Sequence, residues 1–205
     1  MLLALATHTN ARAEETQKWA TETNDQTQWI RASESIYTNT PKNIPIESDK
    51  NSPDYMPPLP QWITKALRNS HYKVNPGTFS TLAYQVFSNT ENTRTIIFSA
   101  STDKDCQDSG NGNDESLPTP VSCRMHALTV KTDGTTTPLT SAKGCYFDAT
   151  QRYRYDASAD TVAEVKKKNG VYYRYNPTKH AIEQMVVVDG HPDKSCDSFI
   201  TIPTN

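Results

Sequence analysis

Two runs decide the fold: Phe79-Ser80-Thr81-Leu82-Ala83-Tyr84-Gln85-Val86-Phe87 and Thr93-Arg94-Thr95-Ile96-Ile97-Phe98-Ser99, separated by Ser88-Asn89-Thr90-Glu91-Asn92. Both are rich in β-branched and aromatic side chains, which suit a pleated, half-buried surface, and the polar connection is of the kind that closes a hairpin. Downstream, Ser122 to Lys131 reads as another strand, turned back by Thr132-Asp133-Gly134-Thr135 toward Thr136 to Thr140. Val162 to Lys168 and Val171 to Tyr175 flank Asn169-Gly170, a pair that tolerates positive φ at both positions and predicts a tight hairpin between two strands. The expected fold is mainly β, an antiparallel meander arranged as a sandwich or barrel over residues 58–205.

Upstream of the strands the pattern has a different period. Trp62, Ile63, Ala66 and Leu67 recur at one-turn spacing behind Pro60, which predicts one short helix starting there and ending before Asn75-Pro76-Gly77. Residues 14–57 hold isolated apolar anchors, and six prolines lie between Pro41 and Pro60. That composition predicts an irregular N-terminal extension with little core of its own. At the very start, Leu2 to Ala6 are apolar and Ala11-Arg12-Ala13 offers small residues at the positions a signal peptidase accepts, so residues 1–13 read as the remainder of an export signal. Neither that patch nor any later stretch approaches the twenty or so apolar residues of a transmembrane helix, and the mature protein is expected to be soluble.

Composition narrows the function classes. The chain has 205 residues, enough for one ordinary domain, a mean hydropathy of -0.73 and a net charge of -2, which argues against a general nucleic-acid binder with its basic surplus on one face. Cys106, Cys123, Cys145 and Cys196 are an even number in a chain that reads as exported, which favours two disulfides. Three pairings exist. Cys106 with Cys123 is preferred because it closes a Gly/Asn/Asp-rich loop, and Cys145 with Cys196 would then tie the last strand to the middle of the domain. Zinc is the rival reading, but no C-x-x-C or close Cys/His pair occurs.

A short repeat occupies the last third. Tyr153-Arg154-Tyr155-Asp156-Ala157-Ser158 is echoed by Tyr173-Arg174-Tyr175-Asn176-Pro177-Thr178, and Val162 and Val165 by Ile182 and Met185. Each copy places an Asp or Asn two residues before a Ser or Thr, side chains that bond nearby backbone and start turns. Over residues 151–186 the pattern resembles the hairpins of tyrosine/aspartate (YD) repeat proteins and, more loosely, those of kelch-type propeller blades. The resemblance implies hairpins and no function.

Candidate sites follow from residue chemistry. The loop Asp103 to Pro120 carries Asp103, Asp105, Asp108, Asp114 and Glu115, oxygen donors of the kind calcium takes, although the spacing is not that of an EF-hand and the expected cofactor set is none. The same loop, with Asp108 and Asp114 at its tip, could instead recognise a partner. His71, His126, His180 and His191 are dispersed and lie in no nucleophile or metal motif. His126 sits in a strand beside Met125 and reads as structural, and Asp193 and Asp197 stand near His191. Tyr153, Tyr155, Tyr173 and Tyr175 alternate with Arg154 and Arg174, so a strand would put tyrosines on one face and arginines on the other. Buried, the tyrosines are cross-strand packing; exposed, they make a recognition surface. The expected function is an exported binding protein, periplasmic or secreted, with a protein partner in the cell envelope, in the manner of an inhibitor or immunity protein. The alternatives are a hydrolase of envelope polymers and an accessory component of a surface structure.

Overall fold

β3 (Ser80–Thr90) and β4 (Thr93–Ala100) form the expected hairpin, pairing Leu82 with Ala100 and Phe87 with Thr95, with a register shift between Ser88 and Thr90. These coordinates are a computed structural model, which describes residues 25–38, 56–74, 80–102, 104–106, 119–147 and 162–202. Two antiparallel five-stranded sheets make up the body. Sheet I has the order β2-β3-β4-β5-β6, with β2 at Ser33–Tyr37, β5 at Val121–Lys131 and β6 at Thr140–Tyr146. Sheet II has the order β1-β7-β8-β10, with β1 at Ile30–Arg31, β7 at Gly170–Asn176, β8 at Ala181–Val188 and β10 at Ser198–Thr201. The short β9 (His191–Pro192) also pairs with β8.

The central strand β4 of sheet I is buried on both faces, every residue from Arg94 to Ala100 being buried. Ala83, Phe87, Ile97, Met125 and Ala127 point toward sheet II and meet Val171, Tyr173, Ile182, Val186 and Ile200. Leu82, Ile96, Phe98, Leu128 and Val130 point the other way, onto helix α1 (Gln61–Asn69). That helix buries Ile63, Ala66 and Leu67 as its spacing predicts and begins directly after Pro60. Ile63 and Leu67 each contribute about 1.5–3 kcal/mol by leaving water, and the Ala66 methyl less than about 1 kcal/mol.

Both disulfides close as expected: Cys106 with Cys123, and Cys145 with Cys196. The second joins the edge strand of sheet I to the short turn of 3-10 helix, Lys194–Cys196, that precedes β10. Beside it the buried Gln184 of β8 accepts from the Cys145 amide (2.7 Å) and donates to the Cys145 carbonyl (3.0 Å) and to Tyr173 Oη (3.0 Å). Gly144 makes this possible, because a Cβ there would stand 2.9 Å from Gln184 Oε1.

Three sequence expectations need correction. Val162–Lys168 is not a strand but a second helix, α2. Ala163, Glu164 and the three lysines favour a helix, which buries Val165, and the polar side chains stay in water. Asn169-Gly170 therefore ends a helix instead of joining two strands. Asn169 Nδ2 donates to the Val165 carbonyl at 3.0 Å, and the Arg31 guanidinium caps the helix end by donating to the carbonyls of Lys166 and Asn169. A Cβ at residue 170 would collide with that guanidinium at 2.9 Å. The partner of β7 is β8, reached through a turn in which Asn176 Oδ1 accepts from the amides of Thr178 and Lys179, as the Asn-x-Thr spacing implies.

The second correction concerns the N-terminal extension. Residues 30–37 enter the domain as β1 in sheet II and β2 in sheet I, with the buried Ala32 between them donating to the Val171 carbonyl at 2.7 Å. One short segment thus crosses from sheet to sheet, and the domain starts well before residue 58. The third is smaller: the return strand after the Asp133-Gly134 turn begins at Thr140, with only an isolated bridge at Thr136, because Pro138 has no amide to give the ladder.

Candidate functional site

Antiparallel register builds the site. Phe98, His126 and Ser141 are direct neighbours across β4, β5 and β6, on the face of sheet I that carries α1. One step along the same face, Arg124 stands opposite Lys143. The segment after β4 then folds back over this face: Asp105 and Cys106 donate their amides to the Thr102 carbonyl, and the Asp105 carbonyl accepts from the Arg124 amide at 2.7 Å. The Cys106–Cys123 disulfide locks that segment to the first residues of β5, so the crosslink itself sets where Asp105 points.

The result is a continuous polar chain from the interior to the surface. Tyr72 Oη and Thr102 Oγ1 donate to Asp105 Oδ2 at 2.7 and 2.9 Å. Asp105 Oδ1 lies 3.0 Å from His126 Nε2, off the line of an ideal hydrogen bond, and neither atom makes a hydrogen bond among the described residues. His126 Nδ1 is 2.8 Å from Ser141 Oγ, and Ser141 is exposed. The imidazole is held between rings, stacked on Phe98 with centroids 5.1 Å apart and met edge-on by Tyr72 at 5.4 Å. Its side chain is only 4% exposed.

Burial by itself would push the Asp105 carboxyl up, but the close contact with His126 and the hydrogen bonds from Tyr72 and Thr102 outweigh it and pull it to about 2. The carboxylate is therefore ionised throughout the neutral range. Tyr72 moves in the opposite direction: burial first, then its bond to the Asp105 carboxylate, raise its hydroxyl far above the ordinary tyrosine value. Tyr72 is a fixed donor.

Ser141 and Asp105 both reach a groove of about 590 Å³ on this face. Lys104, Arg124 and Lys143, all exposed, stand round it, together with the Cys106–Cys123 disulfide. Lys104 Nζ lies 5.6 Å above the Tyr72 ring. Three cations and an exposed hydroxyl around one concavity form a surface matched to negative charge.

The residues singled out from sequence are placed differently. Tyr173 is fully buried between the sheets, bonded to Ser99 and the Ala83 carbonyl, and burial pushes its hydroxyl up to about 12. The tyrosine face of β7 is thus core, and Tyr175 packs against the same core cluster. Arg174 lies on the opposite, outer face of sheet II, with its guanidinium 4.4 Å from the centre of the Trp29 ring and its Nε 2.8 Å from Glu183. Glu183 also accepts from Lys179 and Asn176, and Lys179 sits over the ring of Phe199, which is 56% exposed. This is a second, flatter candidate surface. Tyr153, Arg154, Tyr155, Asp108 and Asp114 lie outside the described residues. Of the acidic loop's carboxylates Asp105 is described, and its oxygens face Tyr72, Thr102 and His126. No cluster of three metal-ligating side chains occurs among the described residues.

His71 and His180 occupy exposed positive-φ turns, and Asp193 turns its carboxylate onto Ser195. Only His126 of the four dispersed histidines joins a buried polar chain among the described residues. Sequence reading passed over Ser141, Tyr72 and the Arg124/Lys143 pair. The turn offered no reliable signal for the pair: it sets Val130 opposite Thr136, and a one-residue shift in the stretch containing Pro138 then places Ala127 opposite Thr140 and His126 opposite Ser141.

Comparison with protein-family models, curated proteins and solved structures finds no match to this chain. The two disulfides suit an oxidising compartment, and no helix among the described residues is long and apolar enough to cross a membrane.

Proposed function

We propose that this is an exported binding protein whose recognition site is the groove beside Ser141, and whose partner is a protein presenting an acidic segment, in the manner of an inhibitor or immunity protein. The observation that carries this reading is the convergence of Lys104, Arg124 and Lys143 on one concavity in a chain whose net charge is -2. Cations gathered against the overall balance steer and orient an anionic partner. The disulfide beneath them supports the reading further, because a groove already ordered loses less freedom on binding.

A fluorescent hexaglutamate peptide tests it by anisotropy. Binding is expected to weaken about tenfold or more in the K104E/R124E/K143E variant and to fall as salt rises from about 0.05 to 0.5 M. Equal affinity for the wild-type and charge-reversed proteins sinks the groove reading. Binding lost instead in Arg174→Ala/Phe199→Ala would move recognition to the outer face of sheet II.

A further inference from the structure

We propose that Ser141 is a nucleophile, activated by His126 and oriented through Asp105, and that it takes the acyl group of negatively charged carboxylic esters lying in the groove. The arrangement supplies the nucleophile, base and carboxylate of an acyl-transfer serine: nucleophile and base at 2.8 Å, base and carboxylate at 3.0 Å, the carboxylate anchored by two further donors, and Ser141 exposed at the groove. An ionised Asp105 beside Nε2 keeps the ring proton on Nε2 and leaves the Nδ1 lone pair for the serine hydroxyl. Phe98 and Tyr72 block ring rotation, so the base cannot turn away.

The chemistry balances on these groups. Ser141 Oγ bonds to the ester carbonyl carbon, its proton passes to His126 Nδ1, and the carbonyl oxygen takes the electron pair. The imidazolium so formed faces Asp105. Collapse breaks the carbon–alkoxide bond, Nδ1 returns the proton to the leaving alkoxide, and an alcohol departs from acyl-Ser141. Water then attacks the acyl carbon, giving its proton to Nδ1, and the proton passes to Ser141 Oγ as the carboxylic acid leaves. The net reaction is ester plus water to acid plus alcohol. The preference for a negatively charged ester rests on the groove reading above, through Arg124 and Lys143, two pairs along and on the same face as Ser141 and His126; the nucleophile does not.

A fluorophosphonate probe, which is attacked at phosphorus by an activated serine oxygen with loss of fluoride, tests the nucleophile directly. Intact-mass and peptide mass spectrometry are expected to find one adduct per chain, on Ser141, absent in Ser141→Ala. The labelling rate should fall about a hundredfold in His126→Gln, in line with loss of a general base, and severalfold in Tyr72→Phe, which keeps the ring and removes one donor to Asp105. No adduct on folded wild-type protein overturns the proposal, as does equal labelling in His126→Gln. If that variant does not fold, Tyr72→Phe decides: a rate equal to wild type overturns the orienting role. For substrate class, kcat/KM for p-nitrophenyl hemisuccinate should exceed that for p-nitrophenyl acetate about tenfold at low salt and approach it at about 0.5 M salt. Labelling at Ser141 without that preference leaves the nucleophile standing and overturns the charge preference, whereas the groove reading itself falls only if the hexaglutamate peptide binds wild-type and charge-reversed proteins equally.

Discussion

Glu183 and Asp105, one on the outer face of each sheet, are both held at about 2, well below ordinary carboxylates, yet for different reasons. In each case burial pushes upward and is outweighed. For Glu183 the counterweight is two cations, Lys179 and Arg174, with Asn176, and those cations are 57% and 36% exposed. For Asp105 it is a nearly dry set: His126, Tyr72 and Thr102. The same acidity therefore stands for two energies. Solvent screens the first pair of charges, whereas nothing replaces the partners of the second. One outer face is suited to exchange contacts with water and partners, the other to hold an arrangement fixed.

The sharpest way to break this contrast is to remove each carboxylate in turn. Asp105→Ala leaves His126 Nε2 buried without its one polar neighbour and is expected to cost about 4 kcal/mol in urea unfolding, against about 1 kcal/mol or less for Glu183→Ala. Equal losses would mean that the two faces do not differ as argued. The crosslink provides the next largest effect. Replacing Cys106 and Cys123 by serine opens a loop of 17 residues and should lower stability by about 3 kcal/mol. Chemical shifts of Asp105 and His126 should move while those of Arg174 and Glu183 do not.

Acid titration separates the faces further. Because Asp105 is held below its ordinary 3.8 in the folded chain, the folded state binds fewer protons there than the unfolded state. Its stabilisation is therefore complete above pH 4 to 5 and is lost as pH falls toward 2, a change of about 2 kcal/mol. Asp105→Asn should flatten that part of the stability curve, and an unchanged slope would refute the assignment. The smaller Glu183 contribution should be sensitive to salt: Glu183→Gln is expected to cost about 0.5 kcal/mol at low ionic strength and almost nothing in 1 M salt. Smallest of all, Phe199→Ala should change stability by no more than about 0.5 kcal/mol, since its ring already faces water. A loss near 2 kcal/mol would show that the outer face of sheet II is covered.

Most of the fold was legible because its signals are local. Strand composition in 79–99, the Pro60 helix start and the Asn176-x-Thr178 turn depend on neighbours within a few residues, and each formed as expected. The misread segment, Val162–Lys168, failed for a definable reason: its match to Ile182 and Met185 in the repeat suggested a strand, although residues three apart share a face only in a helix, and burial of Val165 with Arg31 capping the end accompanies the helix. The Arg31 contact spans 138 positions, beyond any local pattern. The tyrosine and arginine alternation on β7 was visible, but which face is core depended on sheet I, whose Ser99 and Ala83 meet Tyr173.

An antiparallel β body and one helix behind Pro60 follow from the sequence, since periodicity and turn chemistry act along the chain; for the four cysteines the sequence favoured one of three pairings, and the fold settled it. Only tertiary structure decided what the polar residues do. Tyr72, Asp105, His126 and Ser141 come from four separate segments, and their chain exists only after strand register sets Ser141 beside His126, the disulfide folds Asp105 over them and α1 carries Tyr72 across the face. Hydrogen bonds of this kind require partners within about 3 Å, a condition that distance along the chain does not constrain.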